Sequence, residues 1–266
     1  MAATVFYLDP LPQAAGTRVV LDGPEGHHAA DVRRVRPGEN IVLADGKGRV
    51  GWGEAETVAK GTVSVRIHRL DTLPASSPRV TVVQGLPKSD RAELAVELMT
   101  EAGADRIIPW EAARCVSRWQ GPKAAKNAAR WQRVAVSAAK QSRRPFIPEV
   151  SELAVTRDVA AAIRVCANAG GIPIILHEDA TLPLAAAFDQ GAAASNTTAA
   201  ADTPEVLLVV GPEGGVSPSE TEIFTAAGAV PVRLGPTVLR TSTAAAVTLG
   251  ALGVLTSRWD SPPMRY

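Results

Sequence analysis

Two short glycine-containing segments near the carboxyl end constrain the fold of this chain more than any other feature. They are residues 206–218, VLLVVGPEGGVSP, and residues 234–247, LGPTVLRTSTAAAV. Each runs from apolar or β-branched residues through a glycine-containing loop into a stretch of helical character. Such loops follow the carboxyl ends of parallel strands and can close together on one small molecule, so the pair predicts a ligand site at one edge of a parallel sheet.

The first loop has more glycine than a simple turn from strand to helix requires. It reads Gly211-Pro212-Glu213-Gly214-Gly215, and glycine allows a ligand to approach the backbone closely. Ser217, with Pro218 next and Glu220 three residues on, predicts an N-cap and a capping box. The loop matches neither GxGxxG nor GxxxxGK[ST], which argues against a dinucleotide or a nucleoside triphosphate.

The second loop places an arginine where a helix begins. Arg240 stands directly before Thr241, and the positive end of the helix dipole disfavours a cation there. We therefore expect an anion beside Arg240: Glu213, a carboxylate of the ligand, or a phosphate.

The chain divides into two parts that differ in their pattern of predicted secondary structure. A length of 266 residues, 46% of them hydrophobic, allows one large domain or two ordinary ones. Short apolar runs separated by turn residues predict strands at 5–8, 18–21, 40–44, 49–56 and 61–70, with a helix over 26–36. This pattern favours a small β-barrel or sandwich over residues 1–72, followed by a linker at 73–78.

From residue 79 to residue 266, predicted strands alternate with predicted helices. The strands are 79–84, 106–110, 172–177, 206–210 and 230–234. The helices are one capped by Ser89 or Asp90, then 123–141, 151–166, 179–188, 218–227 and 241–257. The alternation predicts an α/β domain with a mostly parallel sheet and helices on both faces, while 190–204 reads as a mobile, low-complexity loop.

Positive charge is concentrated in one stretch although the net charge is only +1. No carboxylate lies between Glu111 and Glu149, which predicts an electropositive surface for a polyanion such as RNA. The nine cations of this stretch are Arg114, Arg118, Lys123, Lys126, Arg130, Arg133, Lys140, Arg143 and Arg144.

Other features point to a reducing, metal-free setting. The amino-terminal residues do not read as a signal peptide, and no apolar run is long enough for a membrane span. Cys115 and Cys166 stand apart from each other and from His27, His28, His68 and His177, so we expect buried thiols, no metal site and a cytoplasmic protein.

Several motifs together resemble those of one enzyme family. They are GPEGG followed by SPSE, LGPTVLRTSTA, the LPK of residues 86–88, AAKQSRR at 138–144 and the spacing of His28 to Gly38. They resemble the RsmE family of the SPOUT superfamily, which methylates N3 of a uridine in 16S ribosomal RNA of the small (30S) subunit. The resemblance implies a PUA-like RNA-binding barrel, a SPOUT domain with a deep trefoil knot at about 206–250, and a homodimer.

The resemblance also implies S-adenosylmethionine as cofactor and assigns residues to it. Our hypothesis gives Arg240 the larger catalytic role, stabilising the uridine anion, while Glu213 would act as base, pair with Arg240 or orient the loop. RNA contacts would come from the basic stretch together with Arg33, Arg34, Arg36 and Lys88. The implied cofactor-binding residues are Leu176, His177, Val210, Gly211, Pro212, Glu213, Gly214, Gly215, Leu234, Gly235, Val238, Leu239, Arg240, Thr243 and Ala244.

Two other functions remain open at this stage. The family often has glutamate where this chain has Ser242, so no role of that glutamate carries over. A different SPOUT activity, methylation of the ribose 2′-oxygen, is one alternative. A non-catalytic RNA-binding or ribosome-assembly protein is the other. Nucleoside analysis separates the first from base methylation, and a test of S-adenosylmethionine binding separates the second.

Overall fold

The computed structural model describes residues 4–188 and 204–260, except for the side chains of Ser89 and Asp90. The chain forms two compact units. The described part of the first comprises residues 4–75 and 139–147, and that of the second comprises 76–138, 148–188 and 204–260. The sequence did not indicate that 139–147 belongs with the amino-terminal unit. The predicted bounds 1–72, 73–78 and 79–266 stay a prediction.

The first unit contains a five-stranded sheet in the order β1-β3-β4-β5-β2. β1 pairs with β3 in parallel, and the other neighbours are antiparallel. The predicted strands are confirmed, with β4 and β5 longer than expected. The strands are β1 Thr4–Tyr7, β2 Arg18–Leu21, β3 Asn40–Ala44, β4 Arg49–Ala59 and β5 Thr62–Thr72.

The helix of the first unit starts and ends earlier than predicted. Helix α1, Gly23–His27, continues into a π-helical turn, His28–Val32. Arg34, with a φ of 53°, lies in the left-handed region, where a helix cannot continue. The predicted end at residue 36 is therefore wrong.

Residues 139–147 are bound to the rest of the first unit by specific contacts. The Tyr7 hydroxyl donates to the carbonyl oxygen of Arg144 at 2.8 Å, and Gly48 N–H donates to the carbonyl oxygen of Pro145 at 3.1 Å. A Cβ at Gly48 would overlap the ring of Phe146, so only glycine permits this approach. Both segments therefore belong to one packing unit although they are far apart in the sequence.

The second unit contains a six-stranded sheet in the order β11-β9-β10-β6-β7-β8, with every pair parallel. Its strands are β6 Arg79–Gly85, β7 Arg106–Trp110, β8 Glu149–Val150, β9 Ile172–Leu176, β10 Glu205–Val210 and β11 Val230–Val232. Its helices are α2 Ser89–Glu101, α3 Pro122–Gln141 as far as residue 138, α4 Thr156–Asn168, α5 Pro218–Ala226 and α6 Thr241–Leu255. The parallel α/β architecture predicted for this part is confirmed.

Three helix starts differ from the prediction. Lys88, rather than Ser89 or Asp90, is the N-cap of α2. Helix α4 begins at Thr156 because residues 149–154 instead follow the edge of β7, where Ala154 N–H donates to Pro109 at 2.8 Å. The helix predicted over 179–188 starts only at residue 184, and 190–203 of the predicted loop lie outside the described residues.

The sheet of the second unit is buried on both faces, as its continuous apolar runs indicate. Val80, Val82, Ile107, Ile174 and Leu208 have no exposed surface. Because all six strands are parallel, the loops after β6, β7, β9, β10 and β11 leave the sheet at the same edge. None of the helices within 4–188 and 204–260 is both long and apolar enough to cross a bilayer.

Candidate functional site

A large cavity lies at this carboxyl edge of the parallel sheet. Its volume is about 1670 Å³, above the range of about 300–1,000 Å³ that is usual for small-molecule pockets. Both motif loops line it, the 211–215 loop after β10 and the 234–240 loop after β11. Leu176, the last residue of β9, and His177, the residue after it, also line the cavity. The two loops predicted to meet are thus in one cavity.

The 211–215 loop is held rigid at its exit by the predicted capping box. Ser217 accepts a hydrogen bond from Glu220 N–H at 3.3 Å, and Glu220 accepts one from Ser217 N–H at 3.0 Å. The Ser217 hydroxyl also donates to Glu220 at 2.7 Å. The Ser217–Glu220 prediction is confirmed, and α5 starts with its first turn satisfied.

Glu220 also connects α5 to two neighbouring segments. Its buried carboxylate accepts hydrogen bonds from Ala113 N–H at 2.7 Å and from the Thr156 hydroxyl at 3.0 Å. Burial by itself would raise the pKa of Glu220, but the hydrogen bonds from Ser217, Ala113 and Thr156 outweigh it and lower that pKa below its usual value. An ionised Glu220 therefore ties α5 to the loop after β7 and to the start of α4.

Close backbone packing explains two of the glycines. A Cβ at Gly85, the last residue of β6, would lie 2.6 Å from the nitrogen of Pro212. A Cβ at Gly214 would lie 3.0 Å from the Cβ of Arg114. The loop is therefore pressed between the segments that follow β6 and β7, and a larger residue at Gly85 must displace it.

The 234–240 loop is more open toward the cavity. A Cβ at Gly235 would meet no atom within 4 Å, and its φ is not in the left-handed region, so the protein itself does not require glycine there. Val238 is 76% exposed, whereas Leu234 and Leu239 pack partly against the core. Apolar walls beside accessible backbone suit a flat, apolar ligand with polar edges.

A buried series of hydrogen bonds joins the two loops behind the lining of the cavity. The Thr241 hydroxyl donates to the carbonyl oxygen of Gly211 at 2.6 Å and accepts from the side-chain amide of Gln84 at 2.9 Å. Gln84 is completely buried and also donates to the carbonyl oxygen of Gly85 at 3.0 Å. The end of β6, the 211–215 loop and the start of α6 are therefore linked side chain to backbone.

Glu213 and Arg240 both face the cavity, but they are not paired with each other. Glu213 accepts a hydrogen bond from the backbone N–H of Lys88 at 3.1 Å. Arg240 is the exposed N-cap of α6, and its guanidinium makes no hydrogen bond or ion pair with any residue in the described ranges. Of the three anions expected beside Arg240, Glu213 is not paired with it, which leaves a carboxylate of the ligand or a phosphate.

Every residue predicted to bind the cofactor lines the cavity except Thr243. Thr243 points its hydroxyl back to the carbonyl oxygen of Arg240 at 3.1 Å. His177 accepts a hydrogen bond from Asp179 N–H on Nδ1 at 3.2 Å, which orients its ring. The geometry thus brings fourteen of the fifteen predicted residues together in one cavity.

The residues predicted to bind RNA are distributed over both units. Lys88 and Arg114 line the cavity. Arg118 is paired with Glu111 at 3.1 Å and Arg130 with Glu93, while Lys123, Lys126 and Arg133 are exposed on α3. Trp119 and Trp131 stack edge to face at 5.0 Å beside these cations, and Trp131 is buried in the core.

The cations of the first unit differ in whether their side chains are paired within the protein or exposed. Lys140 is bound to both carboxylate oxygens of Glu25, at 2.7 and 2.8 Å, and its side chain is only 14% exposed. Arg33 donates to the Thr4 hydroxyl at 3.0 Å. Arg34, Arg36 and Arg143 are exposed, and the backbone oxygen of Arg144 accepts from Tyr7.

Sequence reasoning missed Gln84, Thr241, Arg91 and Arg233 at this site. Arg91, Arg233 and Thr241 line the cavity, and the buried Gln84 hydrogen-bonds Thr241 from behind the lining. A polar residue ending the apolar run of β6 was the available signal for Gln84. Within the described ranges no group of three or more His, Cys, Asp or Glu side chains is arranged to hold a metal ion.

Two family models match the chain. An RNA methyltransferase domain matches residues 75–253, and an RNA methyltransferase PUA domain matches residues 21–67. The matches fall on the parts that carry the parallel sheet and the five-stranded sheet.

Relatives of known name are similar over nearly the whole chain. Ribosomal RNA small subunit methyltransferase E of Mycobacterium bovis is 51% identical over 261 residues, which cover 98% of this chain and 95% of that protein. The protein of the same name from Bacillus subtilis is 30% identical over 240 residues, 89% of this chain and 90% of that one.

A solved structure of this kind is also similar. The crystal structure of a ribosomal RNA small subunit methyltransferase E from Neisseria gonorrhoeae, bound to S-adenosyl methionine, has a TM-score of 0.80 and 28% identity. The similarity covers 96% of this chain and 98% of that chain.

Proposed function

The chain belongs to the ribosomal RNA small subunit methyltransferase E family, and on that premise we propose that it methylates N3 of a uridine. Membership makes it an S-adenosylmethionine-dependent methyltransferase that acts on the 16S ribosomal RNA of the small subunit. The choice of N3 is our inference. The observation that carries the proposal is the single cavity in which the GPEGG loop, the 234–240 loop and Arg240 meet.

The residues present fit S-adenosylmethionine. The open space at Gly235 and the exposed Val238 leave a cradle that no side chain of the described protein fills. We propose that the backbone of the 211–215 and 234–239 loops binds the adenine edge, with Leu234 and Leu239 along its faces. When bound, S-adenosylmethionine supplies an electrophilic methyl group on a sulfonium.

The chemical task of the protein is to make uridine N3 nucleophilic. N3 carries a proton, and the loss of that proton leaves negative charge on the pyrimidine ring. The unpaired guanidinium of Arg240 can stabilise that charge, and we assign the larger part of the rate enhancement to it. Glu213 has one carboxylate oxygen bound to Lys88 N–H, which leaves the other free to accept the N3 proton.

The direct experiment is methylation of small subunits that carry unmodified 16S ribosomal RNA, with labelled S-adenosylmethionine. We expect one labelled nucleoside, 3-methyluridine, identified by mass spectrometry and mapped on the RNA. A 2′-O-methylated nucleoside would favour the alternative SPOUT activity. Failure to bind S-adenosylmethionine would favour a non-catalytic RNA-binding protein.

The finer structural features of the family are also proposals here. We propose that residues of about 206–250 form a trefoil knot, which the position of β10 between β9 and β6 supports. The match of a PUA model to 21–67 supports a PUA-like barrel in the first unit. Action on ribosomal RNA supports a cytoplasmic location. A methyl group on a sulfonium is electrophilic without a Lewis acid, which supports a site without metal.

We also propose a homodimer that uses α6 and the turn after it. Val254 is 78% exposed, Leu255 40% and Trp259 56%, so three large apolar side chains within six residues are accessible to a partner. Sedimentation analysis of the intact chain and of Val254→Asp tests this. A monomer at micromolar concentration for the unaltered chain would contradict it.

A further inference from the structure

The charges that line the cavity are unevenly distributed between its two sides. Lys88 and Arg91 come from the segment after β6, and Arg114 comes from the segment after β7. Among residues whose side chains the structure describes, neither segment contributes an acidic group to the lining. The β6–β7 side of the cavity is therefore cationic.

The opposite side carries mixed charge. Glu178 and Asp179 follow β9, and Arg233 and Arg240 follow β11. Leu176 and Val232 are partners in the parallel pairing of these strands, so the segments that begin at residues 177 and 233 start side by side. The two acids here balance the two arginines, so this side has no net charge, whereas the β6–β7 side has three cations. A polyanion is accordingly attracted to one side of the cavity and not to the other.

The cations on the β6–β7 side form no ion pair with an acidic side chain that the structure describes. Arg91 is half-buried, and its guanidinium makes no hydrogen bond or ion pair with a side chain that the structure describes. Arg114 donates to the carbonyl oxygen of Gly214 at 3.2 Å, which directs it over the GPEGG loop. Arg91 also lies in the first turn of α2, a helix of 13 residues whose positive end adds to the local potential.

The size of the cavity leaves room for more than one molecule. At about 1670 Å³ it exceeds the about 1,000 Å³ at the upper end of small-molecule pockets. A methyl transfer requires donor and acceptor together, and the apolar, glycine-bearing loops form only part of the wall. The cationic part is available to the second reactant.

We propose that Arg91, together with Lys88 and Arg114, binds phosphates of the RNA strand on either side of the target uridine, so that the RNA enters the cavity from its β6–β7 side. This inference rests on the proposed function and adds to it a binding residue, Arg91, and a direction of entry. Arg91 is a binding residue here because a guanidinium forms two parallel hydrogen bonds to a phosphate.

The test is the salt dependence of binding to small subunits that carry unmodified 16S ribosomal RNA. Wild-type protein, Arg91→Ala and Arg91→Lys are compared over a potassium chloride series. The matched control is Arg157→Ala, in the first turn of α4, where the arginine is 87% exposed and does not line the cavity.

We expect Arg91→Ala to weaken RNA binding by at least about tenfold, the value of a single charge-assisted hydrogen bond, since the guanidinium can form two to a phosphate. Its slope of log affinity against log salt should fall by about 0.7, as for one lost contact to single-stranded nucleic acid. Arg91→Lys should keep that slope, and the affinity of every variant for S-adenosylmethionine, measured by calorimetry, should equal that of the wild type.

Two results would overturn the inference. In the first, Arg91→Ala binds RNA with the same affinity and salt slope as Arg157→Ala. In the second, Arg91→Ala loses affinity for S-adenosylmethionine but keeps its affinity for RNA. Both can occur while the wild type forms 3-methyluridine. If instead the wild type transfers no methyl group to these subunits, the proposed function fails, and the binding data judge the role of Arg91 separately.

Discussion

The hydroxyl of Thr241 donates a hydrogen bond of 2.6 Å to the carbonyl oxygen of Gly211, and this contact joins the two loops of the cavity. Thr241 is the first residue of α6, and Gly211 is the first residue after β10. Gln84 donates to the same hydroxyl at 2.9 Å and lies at the end of β6. The end of β6, the loop after β10 and the start of α6 are therefore joined by one buried series of hydrogen bonds. Each residue in this series fixes the position of the next.

Thr241→Val should weaken S-adenosylmethionine binding. It leaves the Gly211 oxygen and the Gln84 amide without their partner, at a cost of about 1–3 kcal/mol for an unsatisfied buried group. Thr241→Ser keeps the hydroxyl and should restore most of the affinity. Calorimetric titration with S-adenosylmethionine measures the effect, and urea unfolding serves as the control for stability. Equal affinity of the valine variant and the wild type would contradict a role for this contact.

Arg240→Ala should reduce kcat far more than it reduces cofactor affinity. Removing one group that stabilises developing negative charge costs about 10²–10³ in kcat, and Arg240 has no described protein partner whose loss would disturb the fold. Turnover on small subunits and the Kd for S-adenosylmethionine are measured separately, with Arg157→Ala as the control. If turnover stays within a few-fold of the wild type, the assignment of Arg240 is wrong.

Gly85→Ala and Gly235→Ala should separate packing from ligand space. At Gly85 the added Cβ would lie 2.6 Å from the Pro212 nitrogen and 2.8 Å from its Cδ, so we expect a loss of about 1–3 kcal/mol in the free energy of unfolding. At Gly235 the Cβ would meet nothing within 4 Å, so stability should change by less than about 0.5 kcal/mol.

The Gly235 variant should nevertheless bind S-adenosylmethionine more weakly, because its methyl group occupies the proposed cradle. Urea unfolding and calorimetry on both variants give the comparison. Unchanged cofactor affinity in Gly235→Ala would place the cofactor elsewhere in the cavity.

Glu220 should make the stability of the second unit depend on pH in acid. Its pKa is lowered from the usual 4.5 in the folded protein, because hydrogen bonds from Ser217, Ala113 and Thr156 outweigh the effect of burial. A group with a lowered folded pKa contributes stability above its unfolded pKa, and that contribution is lost as the pH falls through the folded value. The loss should therefore begin near pH 4.5 and increase below it.

Glu220→Gln should cost about 1.5–3 kcal/mol in the free energy of unfolding at pH 7, where the hydrogen bonds to an ionised acceptor are lost. The difference between variant and wild type should shrink toward acid pH. Denaturant unfolding from pH 7 to pH 3 measures it, and a difference that stays constant over this range would rule out the ionised network.

Lys140 and Lys126 should respond differently to alanine although both belong to the basic stretch. Lys140 is paired with Glu25, which also accepts a hydrogen bond from Tyr7 N–H at 3.1 Å, so Lys140→Ala should destabilise the protein by about 1–3 kcal/mol. Lys126 is exposed, and its replacement should change stability by less than about 0.5 kcal/mol. Equal unfolding free energies for the two variants would contradict a structural role for Lys140.

Much of the architecture could be predicted from local pattern. The apolar runs of β6, β7, β9 and β10 predicted their strands to within one residue because fully buried parallel strands require continuous apolar sequence. The capping box of Ser217 and Glu220 was readable because its two hydrogen bonds join residues three apart. The start of α4 could not be predicted from local sequence, because residues 149–154 pair with a strand more than forty positions earlier.

The sequence by itself determined which loops carry the site, because glycine, proline and capping residues act on the backbone within a few positions of themselves. Only the tertiary structure decided which side chains use that site. Glu213 hydrogen-bonds Lys88 instead of Arg240, Lys140 is bound by Glu25, and Gln84 meets Thr241 across 157 positions of sequence. Contacts of this kind depend on the order of the strands in a sheet, and that order cannot be derived from the residue types along the chain.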